Sequence, residues 1–117
     1  MNVNIEFKNL PPDEILRKLI EQAARKLRKK LAQLAGDASF LRVMVEENTA
    51  RKLYRVSITL ELPKKTLASQ EERHDINETV RDAFIEIDGQ IETYKATLRG
   101  EHEWKRRARR EELRKNK

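Results

Sequence analysis

The residues best suited to chemistry lie in the closing stretch EWKRRARREELRKNK, where Lys105, Arg106, Arg107, Arg109 and Arg110 fall within six positions. Cations gathered this densely suit a polyanion. A guanidinium is planar and always charged, donates two parallel bonds to one phosphate, and stacks its face on bases. Phosphate binding of this kind draws its affinity from the release of condensed counterions. Trp104, directly before the cluster, either adds a base stack worth roughly 1–3 kcal/mol or packs back onto the folded domain. The cluster itself is either an RNA anchor or a solvated, disordered end.

Charge placement favours the anchor. The chain has 117 residues and a formal net charge of +6. Lys and Arg balance Asp and Glu over residues 1–94, whereas residues 95–117 hold ten cations against four acids. A merely soluble protein has little reason to segregate its charge so completely.

Other chemistries lack their residues. There is no cysteine, so disulfides, thiol nucleophiles and thiolate metal sites are excluded. His74 and His102 stand far apart without ligand spacing, and the three glycines are isolated, so no phosphate-cradling loop is present. His74 beside Asp75 is the nearest approach to a catalytic dyad, and a local helix cap explains it better. We expect no enzyme, no metal, no cofactor and no small-molecule substrate. No apolar run approaches the ~18 residues of a membrane span and no signal peptide opens the chain, so a cytoplasmic location is expected.

The elements that must position these cations follow from hydrophobic period. VNIEF alternates Val3, Ile5 and Phe7 against Asn4 and Glu6, a half-buried strand. Pro11 and Pro12 end it, and Pro12 or Asp13 starts a helix. That helix carries Leu16, Ile20, Ala23, Leu27, Leu31 and Leu34 on one stripe, flanked by Ile15, Leu19 and Ala24. It should stop near Ala35, before Gly36. Two strands, FLRVMVEE and LYRVSITLEL, are joined by NTARK, and PKKT turns the chain into a third, TLASQEER. Asp75 and Glu78 read as a capping box for a second helix. Its stripe is Ile76, Val80, Ala83 or Phe84, Ile87, Ile91, Tyr94 and Leu98. Gly89 inside it costs roughly 1 kcal/mol relative to Ala, which close helix packing would explain better than a functional kink. Gly100 is expected to interrupt the helix.

The fold class is therefore α+β, in the order β-α-β-β-β-α. It is a four-stranded mixed sheet with two helices packed on one face, strands one and two parallel, and a basic C-terminal tail. Residues 1–100 form one domain, and residues 101–117 form the tail, partly helical or disordered. At 100° per residue, Lys18, Arg25 and Lys29 fall opposite the first helix's apolar stripe, with Arg17 and Arg28 to one side. Such lysines are usually plain solvated surface; coupled to a basic tail they can line an RNA groove. Lys64 and Lys65 are expected to lie too far from that surface to contribute.

This order, with RVSITLELPKKTLASQEERHDINETVRDAFIEIDGQIETYKATLR, resembles the short ribosome hibernation-promoting factor / ribosome-associated inhibitor A family, also called the sigma-54 modulation protein family. The matching features are Val56, Ile58, Leu60, Pro63, Asp75, Tyr94 and Lys95, and the likeness covers roughly residues 3–100. It implies a non-enzymatic protein that binds the small ribosomal subunit and its 16S rRNA, beside neighbouring ribosomal proteins, in the channel of messenger and transfer RNA. It implies inhibition of translation under stress, and basic positions at Lys95 and Arg99. Three departures stand out. Lys64-Lys65 replaces the usual Gly-containing hairpin, Glu92 and Thr93 stand where relatives are often basic, and the tail is more basic than expected. The second domain with which long members pair ribosomes is not expected here, and the protein is expected to be a monomer.

Other classes fit less well. A double-stranded-RNA-binding domain opens its second helix with lysines, whereas this one opens DINETVRD and follows an extra strand. A membrane-surface helix needs an apolar face, and residues 101–117 offer only Trp104, Ala108 and Leu113. A general RNA-binding or protein-interaction module whose tail docks an acidic partner stays open.

Overall fold

The computed structural model describes residues 2–32 and 39–115, with side chains as far as residue 100. The chain runs β1 (Asn2–Lys8), α1 (Glu14–Leu31), β2 (Phe40–Asn48), β3 (Leu53–Leu62), β4 (Lys65–Arg73) and α2 (Ile76–Lys115). The sheet order is β1-β2-β3-β4, with β1 parallel to β2 and the other pairs antiparallel. This is the expected α+β architecture.

The local causes are visible at each boundary. After β1, Asn9 takes φ 63, a left-handed conformation that asparagine tolerates, and Pro11 and Pro12 prevent further strand pairing. Asp13 then caps α1, its Oδ1 accepting the N–H groups of Ile15 at 3.0 Å and Leu16 at 3.3 Å. Lys52, between β2 and β3, also takes a positive φ of 53. Leu62 pairs with Lys65, so β3 and β4 are joined by Pro63 and Lys64 alone. α1 ends at Leu31 with Ala32 as its cap; Leu34 and the expected stop at Ala35 and Gly36 lie outside the described residues.

Both helices cover one face of the sheet. Leu41, Val43, Val45, Val56, Ile58 and Leu60 point inward with no exposure and meet Leu16, Ile20, Ala24, Leu27 and Leu31 from α1. α2 contributes Val80, Ala83, Phe84, Ile87 and Ile91. Each fully buried aliphatic side chain contributes roughly 1.5–3 kcal/mol by leaving water. Buried polar groups are largely matched: the Thr79 hydroxyl donates to Asp75 O at 2.6 Å and the Ser69 hydroxyl to Ala83 O at 2.9 Å. The second bond ties β4 to α2. The free edge of β4 is closed by Gln90, whose amide accepts from Ala68 N at 3.3 Å and donates to Ala68 O at 2.7 Å.

Three expectations are corrected. Ile15 and Leu19, read as flanks of the α1 stripe, are 76 % and 45 % exposed; each borders an open hollow, Ile15 beside Tyr54 and Leu19 beside α2. Gly89 is not a packing glycine, because a Cβ there would meet nothing within 4 Å. Gly100 does not interrupt α2, which continues to Lys115. No helix among the described residues is long and apolar enough to cross a membrane.

Candidate nucleic-acid interface

The strand register orders the cations along the molecule. Lys8, Glu46, Arg55 and Glu72 pair across one end of the sheet, and Asn2, Phe40, Glu61 and Thr66 across the other. α1 follows Lys8 and α2 follows Arg73, so both helices start at the first end and run side by side toward the second. The Pro63–Lys64 turn sits at that second end, so Lys64 and Lys65 share it with the end of α1. Gln90, bonded to Ala68, holds α2 beside β4. From there α2 passes through Lys95 and Arg99 as it leaves the sheet.

On α1, Lys18, Arg25 and Lys29 are exposed along the side turned away from the sheet. Basic residues in the last turn, Arg28, Lys29 and Lys30, also complement the partial negative charge of the helix C-terminus. Arg28 is exposed and borders a hollow beside Val3, Glu21, Ala24 and Arg25. Arg17 serves the fold instead, its guanidinium 5.5 Å from the Phe7 ring centroid and 3.7 Å from Glu14. Lys95 is half-buried and Arg99 exposed on α2. By the 3.6-residue period they follow Asp88 and Glu92 along the side of α2 that faces α1.

Lys30 connects the two helices. Its Nζ lies 2.7 Å from Asp88 and 3.1 Å from Glu92, and its pKa is raised, first by the hydrogen bond to Asp88 and then by that to Glu92. Glu92, which looked like a weakening of the RNA-facing charge, is thus engaged with α1. The sequence pattern did not single out Lys30, because its partner Glu92 lies 62 positions later. Arg42 was also missed: it stands on the uncovered sheet face, 5.7 Å from the Phe40 ring centroid. Alternation in FLRVMVEE, with Leu41, Val43 and Val45 inward, could have assigned it to that face.

Trp104, Lys105, Arg106, Arg107, Arg109 and Arg110 belong to the helical backbone of α2, and their side chains lie outside the described residues. The His74–Asp75 dyad dissolves into structure. His74 Nδ1 lies 3.0 Å from Lys52 O, and Asp75 Oδ1 accepts from Asn77 N at 2.9 Å and Glu78 N at 3.3 Å. A hollow of about 750 Å³ separates α1 from α2 and is lined by Leu19, Ala23, Phe84 and Ile85 with charged residues around them. The arrangement is suited to displaying phosphate-binding charge on two parallel helices.

Comparison with known proteins agrees with this fold. Residues 3–99 match the family model described as sigma 54 modulation protein / S30EA ribosomal protein. A ribosomal subunit interface protein from Coxiella burnetii is similar, with a TM-score of 0.63 and 23 % identity over 82 % of this chain and 99 % of that one. So is the N-terminal domain of Thermus thermophilus Protein Y, with a TM-score of 0.66 and 19 % identity over 80 % of this chain and 99 % of that one. No curated protein matches the sequence. At these identities the two structures establish the likeness of fold.

Proposed function

The chain belongs to the sigma 54 modulation protein / S30EA ribosomal protein family, and on that premise we propose that it is a ribosome hibernation factor. It binds the small ribosomal subunit in the channel of messenger and transfer RNA and inhibits translation under stress. The mechanism is steric. The folded domain fills the channel, phosphate contacts to 16S rRNA hold it there, and no bond is made or broken. It acts as a monomer beside neighbouring ribosomal proteins in the cytoplasm. The contacts are assigned to Lys18, Arg25, Arg28, Lys29, Lys95 and Arg99 on the domain, and to Trp104, Lys105, Arg106, Arg107, Arg109 and Arg110 on the tail.

One observation carries this reading: the whole net positive charge falls in residues 95–117, and residues 95–115 belong to the part of α2 that extends past the sheet. A helix of 40 residues spans roughly 60 Å, whereas a strand of nine residues spans about 30 Å. About half of α2 therefore projects beyond β4 as a charged rod, consistent with a longest molecular extent of 71 Å against 26 and 17 Å.

Co-sedimentation with purified small subunits at low and high salt tests it, comparing the full chain with one ending at Gly100. Salt-sensitive pelleting that weakens without the tail is expected. Salt-sensitive pelleting indifferent to truncation transfers the contacts to the helices. No pelleting overturns the ribosomal reading and leaves a module for another acidic partner.

A further inference from the structure

The end of the sheet opposite the projecting rod carries a surface of different chemistry. There Leu10, Pro12, Ile15, Tyr54 and Ile76 line an open hollow of about 570 Å³ between the β1–α1 turn, β3 and the start of α2. Ile15 is 76 % exposed, more than any other large exposed hydrophobic side chain among the described residues. With the partly exposed Leu10, Tyr54 and Ile76 it forms a contiguous apolar patch, whose burial would remove apolar area from water.

The charge around the hollow selects the partner. All three charged residues in its wall are acidic: Asp13, Glu14 and Glu47. Both helices begin here, and a helix start ordinarily attracts anions. That attraction is already satisfied, because Asp13 and Asp75 accept the first free N–H groups of α1 and α2. Glu14 has Arg17 at 3.7 Å. The Glu47 carboxylate has no ion pair or hydrogen bond among the described residues. Within the wall of the hollow the charge is therefore negative, and a cation beside an apolar group is favoured there.

We propose that this hollow docks a basic segment of a partner protein, one with a leucine or proline beside lysines or arginines. The apolar side chain covers Ile15 and Leu10, and a cation meets Glu47, the wall carboxylate with neither ion pair nor hydrogen bond among the described residues. Electrostatic complementarity of this kind sets partner choice and association rate. The inference goes beyond the ribosomal reading and does not depend on it, because the cations assigned to RNA extend along α1 and the far part of α2.

The test is an NMR titration of the ¹⁵N-labelled full chain with a short synthetic peptide of leucine, proline and arginine. A matched peptide with glutamate in place of arginine serves as the comparison. Amide shifts confined to Leu10, Asp13, Glu14, Ile15, Glu47, Tyr54 and Ile76, with the arginine peptide only, are expected. Glu47→Lys and Ile15→Ser should each weaken binding by about tenfold or more. The spectrum itself reports whether each variant is folded; if Ile15→Ser is not, Glu47→Lys decides. The proposal is overturned if neither peptide shifts these residues, if both do equally, or if Glu47→Lys binds unchanged. It is equally overturned if an RNA oligonucleotide occupies the hollow, or if the shifts appear on concentrating the protein alone, which would make a second copy the occupant.

Discussion

Single side chains here divide between serving the fold and displaying charge, and their surroundings decide which. Lys30 and Lys29 are neighbours in sequence, yet Lys30 is held by Asp88 and Glu92 while Lys29 stands exposed on α1. The exposure of Lys18, Arg25 and Lys29 was legible from helical period alone. The Lys30 contact was not, because it depends on two helices meeting. Glu86 shows the opposite condition. Its pKa is raised, first by a hydrogen bond with Glu71, then by desolvation and by the repulsion between the two carboxylates. Glu71 also has Arg73 at 3.3 Å, but Arg73 is shared with Asp82 at 2.9 Å. A carboxyl group whose folded pKa is raised supports the fold below its ordinary pKa, and that support is lost as pH rises through the folded value. Glu86→Gln should therefore melt at a higher temperature than the parent at pH 7, with the advantage vanishing as pH falls through the carboxylate range. Thermal denaturation across that range measures it, and a variant less stable at neutral pH would contradict the unfavourable pair.

At the scale of elements, α2 departs furthest from its sequence reading. Its buried stripe was readable from Val80 to Ile91, and Asp75 caps it through Asn77 N and Glu78 N, the Asp75 half of the expected capping box. The glycines misled. Gly89 suggested close packing and Gly100 an interruption, but both lie in unbroken helix with open space where a Cβ would stand. A glycine lowers helix propensity without forbidding helix, and the flanking residues outweigh a cost of about 1 kcal/mol. Gly89→Ala should consequently stabilise the protein by about 0.5–1 kcal/mol, raising Tm by several degrees in scanning calorimetry. A lower Tm would mean that the helix backbone bends at this position in solution.

For the whole molecule, the proposed function assigns its contacts to two cationic regions, the ridge on α1 and the rod of α2. On that assignment, replacing Arg106, Arg107, Arg109 and Arg110 by Ala should weaken small-subunit binding. It should also flatten the dependence of log K on log salt by about 0.7–0.9 for each phosphate no longer neutralised. Replacing Lys18, Arg25 and Lys29 by Ala should flatten it further in the combined variant. Affinity unchanged across a salt series in either set would remove that region from the interface. Element order, the parallel first crossover, the inward faces and the charge segregation were determined by the sequence itself. They follow from local period, from capping and turn residues and from composition, none of which needs a distant partner. Tertiary structure alone decided that Lys30 locks α1 to α2, that Lys64 and Lys65 share an end with the close of α1, and that Ile15 stands exposed beside Glu47. Each of these depends on which remote segments meet across the sheet, a proximity that hydrophobic period does not encode.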